Sequence, residues 1–319
     1  MHARHHSPDL RRLPFLGQPS REVVAHDLTM LQARHDASKT IQATIGTLKA
    51  FCVRLPPAHQ RRICWDITQT TADDIDTWLD MAHHHGLAPA TLNHILNTLQ
   101  RFFAFLQEQG RLTHQPINRR RHQVLVPHTL PKPMAEADLI HFFQVIDALH
   151  DRAMFLLMRR CGLRVGEVSA LTWSAIDGEA RSIRIDNGKG QVDRVVYYSP
   201  DVEHALRQWR RLQPADLGYV FPSPLKPGSP LSVRTIQRLM ARYLTAAHIT
   251  ASYSPHALRH TFATHLLNAG APLEVVKELM GHRSISMTLR YTQLYEATKR
   301  RQYDQAMAHI EQRSALIER

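Results

Sequence analysis

Ser254-Pro255-His256-Ala257-Leu258-Arg259-His260 reads as the opening of a helix, with Ser254 at the cap and Pro255 at the first helical position. Proline is tolerated there because its missing N–H would have no intrahelical partner anyway. His256, Arg259 and His260 then fall at i, i+3 and i+4 and share one face. Downstream, Gly270 ends the helix and a second one runs from about Pro272 to Met280. Gly281 breaks that helix within Leu279-Met280-Gly281-His282 and presents His282 at the break, while Ser284 can open a short helix ahead of Tyr291. Upstream, Arg181 to Asp186 alternates like a strand, Asn187-Gly188 is a hairpin-turn signal, and Val192 to Tyr198 returns, leaving Lys189 at the turn. Arg164 lies earlier still, in Cys161-Gly162-Leu163-Arg164-Val165-Gly166-Glu167. Polar groups thus arrive from four separate segments at element ends and turns, where sites are commonly built.

These residue types suit phosphoryl transfer without a metal. A phosphodiester under attack gathers negative charge on its oxygens, so in place of a metal the enzyme must supply cations and hydrogen-bond donors. Arg164, Arg259, Lys189, His256 and His282 are such groups, and Tyr291 can serve as nucleophile.

Each signal has a plainer reading. Arg164 could be a surface arginine paired with Glu167. Gly188-Lys189-Gly190 lacks the longer glycine-rich pattern of an ATP loop. His256 and His260 have the spacing of zinc-binding histidines, yet Ala257 occupies the place where the metalloprotease pattern has glutamate. His83-His84-His85 reads as a solvated helix end, Tyr291 alone as a packed aromatic, and Phe102, Phe103 and Phe105 as core rather than a stacking platform.

The chain has 319 residues, enough for two domains, with 40 Lys+Arg against 28 Asp+Glu and a formal charge of +12. That balance suits a polyanion, and nucleic acid is the first partner to test. No apolar run approaches the roughly 20 residues that span a bilayer, and the basic start lacks the apolar core of a secretion signal. A soluble, cytoplasmic protein is expected. Cys52, Cys64 and Cys161 show no Cys-x-x-Cys spacing, so reduced, packed thiols are expected rather than a disulfide framework or zinc ribbon.

The pattern divides the chain into a basic extension, 1–22, that frays or adds a short helix; a helical unit, 23–115; a linker, 116–133; and a mostly helical unit with one β element, 134–319. In the first unit Ile41, Ile45, Leu48 and Phe51 recur at helical spacing, as do Ile95, Leu99, Phe102, Phe103 and Leu106. Thr71 precedes a further helix with Ile75, Trp78, Leu79 and Met81 on one face, giving four or so helices in all. The linker holds four prolines and four Lys/Arg without an acid, which predicts an irregular path along a phosphate backbone. Segment 292–319, with Leu294, Ala297, Tyr303, Met307 and Ile310 near helical spacing, reads as an amphipathic tail helix that docks on a neighbouring copy or folds back onto its own domain.

From Leu163 onward the chain resembles the tyrosine recombinase, or phage integrase, family. The features are arginine in Gly-Leu-Arg-x-Gly-Glu, a β-turn lysine, His-x-x-Arg-His, Gly-His, and a tyrosine nine residues after that histidine. The first unit is more weakly similar to the family's SAM-like core-binding domain, through Ala88-Pro89-Ala90-Thr91-Leu92-Asn93 and Leu99-Gln100-Arg101-Phe102-Phe103. Met280 stands where leucine is usual before Gly-His, and His114-Gln115-Pro116 where Asn-Pro often ends the first domain.

The resemblance implies a mainly α fold: a four-helix core-binding domain followed by a mostly helical catalytic domain with a small β-sheet. It implies a site-specific recombinase of Xer or transposon-resolution type that works through a 3′-phosphotyrosine and a Holliday junction, without metal, ATP or other cofactor. Tyr291 is then the nucleophile, Arg164 and Arg259 grip the phosphate, Lys189 is the general acid, His256 the proton acceptor, His282 a phosphate donor and Glu167 an orienting group. The implied partners are double-stranded DNA with an inverted-repeat core site, three further copies in a synaptic tetramer, and an accessory DNA-binding protein at some sites. Both units would clamp the duplex. Arg119, Arg120 and Arg121 are expected on phosphates, with Asn93, Asn97 and Gln100 on one helix and Arg234, Gln237, Arg238 and Arg242 on another reading bases.

Overall fold

The computed structural model describes residues 12–33, 38–126, 132–186, 193–214, 218–226 and 228–282, together with 284, 285, 288, 303, 304 and 307. The chain divides into two compact units, Met1–His128 and Thr129–Arg319.

The first unit is helical: α1 Gln18–Ala33, α2 Ser38–Val53, α3 Pro57–Trp65, α4 Ala72–His84, α5 Pro89–Glu108 and the one-turn α6 Arg119–His122. Proline starts α3 and α5, and α4 opens on a capping box. In that box the Asp74 carboxylate accepts the Thr71 N–H at 2.8 Å while the Thr71 hydroxyl accepts the Asp74 N–H at 3.3 Å. Phe51, Ile63, Ile67, Trp78, Phe102 and Phe103 fill the core, so the phenylalanines of α5 are packing residues as expected. The short α3 contributes only Ile63 and Cys64 as buried positions, too few for a period to show in the sequence. All three cysteines are free and buried.

Two stretches differ from the sequence expectation. Leu13, Leu16 and Ser20 are buried and α1 begins at Gln18, so from Arg12 onward the chain packs into the first unit and, of the two expectations for the start, adds a helix rather than fraying. Residues 116–126 are not an irregular strap either. Asn118 caps α6 by accepting the Arg120 N–H at 2.9 Å, and Asn93 donates to the Val124 carbonyl at 2.6 Å and accepts its N–H at 3.3 Å. Ile117 and His122 are buried beneath. Pro116 precedes this turn instead of interrupting it, which is why the helix can form.

The second unit contains α7 Glu136–Gln144, α8 Leu149–Cys161, α9 Val165–Ala170, β1 Ile176–Asp177, β2 Ser182–Ile185, β3 Arg194–Tyr197, α10 Pro200–Arg211, α11 Val233–Ala246, α12 Pro255–Asn268 and α13 Leu273–Met280. The strands form an antiparallel meander in which Ile183 pairs with Val196 and Ile185 with Arg194. Ile183, Ile185, Val196 and Arg194 are the buried positions of β2 and β3. Buried α8 is the centre, packed against α10 and α12. A smaller cluster of Phe262, Ala263, Leu267, Val276 and Met280 fastens α12 to α13.

Two glycines allow close approaches around the site. Gly162 ends α8 at φ +64°, and a Cβ there would lie 2.4 Å from the Phe262 ring. Gly281 ends α13 at φ +61°, and a Cβ there would meet Arg194 at 3.0 Å.

Candidate active site

The end of α13 organises the site. A helix leaves its last carbonyls without intrahelical donors and carries partial negative charge there. Here the Gly281 and His282 N–H groups return to the Glu278 and Lys277 carbonyls. The next three carbonyls are each taken by a different guanidinium. Arg194 Nε donates to Leu279 O at 2.8 Å, Arg259 Nη2 donates to Met280 O, and Arg164 Nη2 donates to Gly281 O at 2.9 Å. Arg259 Nη1 also donates to the Gly162 carbonyl, tying α12 to the end of α8.

Glu167, in the first turn of α9, is the counter-charge. Its Oε1 accepts from Arg164 Nη1 and Arg194 Nη1, both at 2.8 Å. Its Oε2 accepts from the Arg164 backbone N–H at 2.7 Å and Arg194 Nη2 at 2.8 Å. Burial alone would raise its pKa, but the hydrogen bonds and charge of Arg194, then those of Arg164, outweigh it and bring it to about 2. Three guanidiniums against one carboxylate leave two positive charges at the cluster, the balance of an anion site.

The histidines feel that balance. His260 and His282 are pushed down to about 4, by burial first and then, for His260, by His256 and Arg259; for His282, Arg259 and Arg164 follow. His256 is accessible to solvent but crowded by protein; this shielding, then Arg259 and Arg164, lowers it too. Near neutral pH all three imidazoles are therefore uncharged. His282 Nδ1 lies 2.9 Å from the Thr288 hydroxyl. Beside it, a cavity of ≈ 520 Å³ opens between β3 and α13, lined in part by Arg194, Lys277, Gly281 and His282.

Arg164, Glu167, His256, Arg259 and His282 lie together in the fold, while Lys189 and Tyr291 lie outside the described residues. Ser254 occupies the N-cap of α12 but makes no side-chain cap bond. Arg164 does pair with Glu167, as the plainer reading had it, but its side chain is only 26% exposed and also caps α13. Among the described residues no group of three or more His, Cys, Asp or Glu is placed to hold a metal ion. Arg194 was missed. The available signal was its phase: in Arg194-Val195-Val196-Tyr197 the alternation puts an arginine on the inward side with Val196.

Residues 132–298 match the phage integrase family model, and residues 25–110 match the phage integrase N-terminal SAM-like domain. The tyrosine recombinase XerC of Haemophilus influenzae is 32% identical over 293 residues, covering 90% of this chain and 92% of its own.

The chain belongs to the phage integrase family.

Tyrosine recombinase XerA of Pyrococcus furiosus is 31% identical over 70% of this chain and 77% of its own. In fold, an integrase of transposon Tn1549 in complex with a circular-intermediate DNA superposes with a TM-score of 0.68 at 19% identity, over 85% of this chain and 93% of that one. A lambda integrase dimer bound to a core site gives 0.67 at 18%, over 84% and 96%. As a phage integrase family member the chain is a site-specific tyrosine recombinase, mainly helical with a small sheet, and no helix among its described residues is long and apolar enough to cross a membrane.

Several side chains expected at DNA have protein partners in this integrase. Asn93 holds the Val124 backbone, and Gln100 Oε1 accepts from Arg119 Nε at 3.1 Å. Arg121 donates to Asp73 and Asp76, and Arg242 reaches Asp151 at 3.2 Å and lies over the Tyr243 ring. For Arg121 and Arg242 the partners are acids on neighbouring helices, invisible in a linear reading. Asn97, Arg120, Arg234, Gln237 and Arg238 are exposed, Arg238 reaching no farther than Thr235.

Proposed function

We propose that this recombinase cuts and rejoins double-stranded DNA at inverted-repeat core sites, with Tyr291 as nucleophile. The tyrosine oxygen attacks the scissile phosphorus, the 5′-oxygen leaves, and a 3′-phosphotyrosine conserves the bond for rejoining without ATP. His256, kept neutral by its surroundings, is free to accept the phenolic proton, and Lys189 protonates the departing 5′-oxygen. Arg164 and Arg259 stabilise the non-bridging oxygens, with His282 as a further donor. The observation that carries this reading is the excess positive charge held around the carbonyl end of α13.

Attack by the 5′-hydroxyl of a partner strand reverses the step, and two rounds pass through a Holliday junction. Four copies act on synapsed DNA, each tail 292–319 docking on a neighbour and linking the position of Tyr291 to assembly. The enzyme works in the bacterial cytoplasm at the nucleoid, at some sites with an accessory DNA-binding protein. The helical unit 23–115 and the catalytic unit 134–319 both contact the duplex. Asn97 on α5 and Arg234, Gln237 and Arg238 on α11 are the reading candidates, because they are exposed. XerC-like relatives and a transposon integrase as a neighbour in fold favour resolution or movement of a replicon or mobile element.

The test is a suicide substrate that traps the covalent adduct. The wild-type chain should form it in EDTA and Tyr291→Phe should not; no adduct from the wild type would overturn the reading. Lys189→Ala should cleave normal DNA slowly, yet approach the wild-type rate on a 5′-bridging phosphorothiolate, whose sulfur leaves without a proton. Equal slowing on both substrates would remove Lys189 from the leaving-group role.

A further inference from the structure

Arg194 is a buried charge to which the steps above give no task. Its side chain is 6% exposed on the inward face of β3, opposite Ile185. All three of its guanidinium nitrogens are engaged: Nη1 and Nη2 fork onto the two oxygens of Glu167 at 2.8 Å, and Nε reaches the Leu279 carbonyl at 2.8 Å. A lysine there would offer one point donor and could not satisfy two oxygens and a carbonyl in a fixed plane.

We propose that Arg194 is a positioning residue for DNA cleavage, holding Glu167 and the end of α13 together so that Arg164 keeps its orientation. Arg164 gives only Nη1 to the Glu167 side chain and sends Nη2 to Gly281. An arginine beside a free carboxylate closes a two-pronged fork on it, the strongest arrangement available to that pair. Arg194 pre-empts that closure by occupying both carboxylate oxygens itself. Arg164 therefore stays on the α13 carbonyl instead of collapsing onto its own helix. Arg194 also begins β3, five positions after Lys189 in the sequence. The absent Cβ of Gly281 belongs to the same arrangement, since a methyl group there would press on Arg194 Cδ and Nη1 at 3.0 Å.

The proposal rests on the recombinase reading of Arg164 and Tyr291, and its test separates the two. Single-turnover cleavage of a half-site suicide substrate is measured for the wild type, Arg194→Lys, Arg164→Ala and the double variant, alongside half-site affinity and melting temperature. Arg194→Lys should slow adduct formation about 10- to 100-fold, the scale set by small misplacements of a reacting group, with affinity unchanged. In the Arg164→Ala background the same change should add less than about twofold, because the group it positions is already gone. Equal factors in both backgrounds, or no slowing at all, would overturn the proposal, whereas no adduct from the wild type would fail the recombinase reading instead. Should Arg194→Lys not fold, the neutral pair Arg194→Gln with Glu167→Gln leaves no unpaired buried charge and should be slow with the same dependence on Arg164. A neutral pair that cleaves at the wild-type rate would likewise overturn it.

Discussion

Two groups of three arginines, one on the surface and one half-buried to buried, differ in what holds them. Arg119, Arg120 and Arg121 occupy consecutive positions on α6, and two of them reach exposed or part-exposed side chains, Gln100, Asp73 and Asp76. Arg164, Arg194 and Arg259 come from three distant segments and are held by Glu167 and by four main-chain carbonyls, those of Gly162, Leu279, Met280 and Gly281. Surface ion pairs are screened and contribute little. Main-chain carbonyls at a helix end cannot move away, so guanidiniums held there are preorganised for an incoming anion. Charge counted along the chain points to a polyanionic partner; the acceptors tell which cations are set up to act on it.

The largest expected effect comes from breaking the buried group. Arg259→Ala should slow cleavage about 10³-fold or more in the suicide-substrate assay. It should also lower stability by about 1–3 kcal/mol for each carbonyl left unsatisfied, at Gly162 and Met280, measured by denaturant unfolding. A variant that cleaves within tenfold of wild type would mean that Arg259 is merely structural. Acid comes next. His260 and His282 are held near 4 in the fold while an unfolded imidazole titrates near 6.5, so stability present above about pH 6.5 is lost as pH falls toward 4, and His256, lowered as well, acts in the same direction. Glu167, held near 2 against about 4.5, adds a second loss between those values. The melting temperature should fall by about 5 °C or more across the first window, and less with half-site DNA bound, because phosphate favours the protonated rings. A flat profile from pH 7 to 4.5 would contradict the burial that depresses His260 and His282. The smallest effect belongs to α6. Joint replacement of Arg119, Arg120 and Arg121 by alanine should weaken specific and random DNA alike and reduce the salt slope by about 0.9, the equivalent of one phosphate contact, because two of the three already have protein partners. A slope change near 2.7 would mean that all three turn to phosphate.

Local rules carried the sequence reading far. Pro255 and Gly281 bracket α12 and α13 because backbone geometry and a missing N–H act within a few residues, and the alternation on either side of Asn187-Gly188 marks β2 and β3, which pair antiparallel. The ordered motifs that hold Arg164, Lys189, His256, Arg259, His282 and Tyr291 were enough to select the family. Proline content, by contrast, suggested an irregular 116–133, and composition could not reveal that Asn93 clamps Val124 or that Asp73 and Asp76 await Arg121.

The sequence by itself thus determined the helical phase, the chain breaks, the excess of positive charge and the set of reactive groups, since each depends on residue type and short-range geometry. Only the tertiary structure decided which cations form the site. Arg194 and Arg164 are 30 positions apart and Arg259 a further 65, and their shared acceptors lie at the end of α13. Helix-terminal carbonyls look identical in every sequence, and which donors reach them is settled by the packing of α8, α12 and β3 around that end.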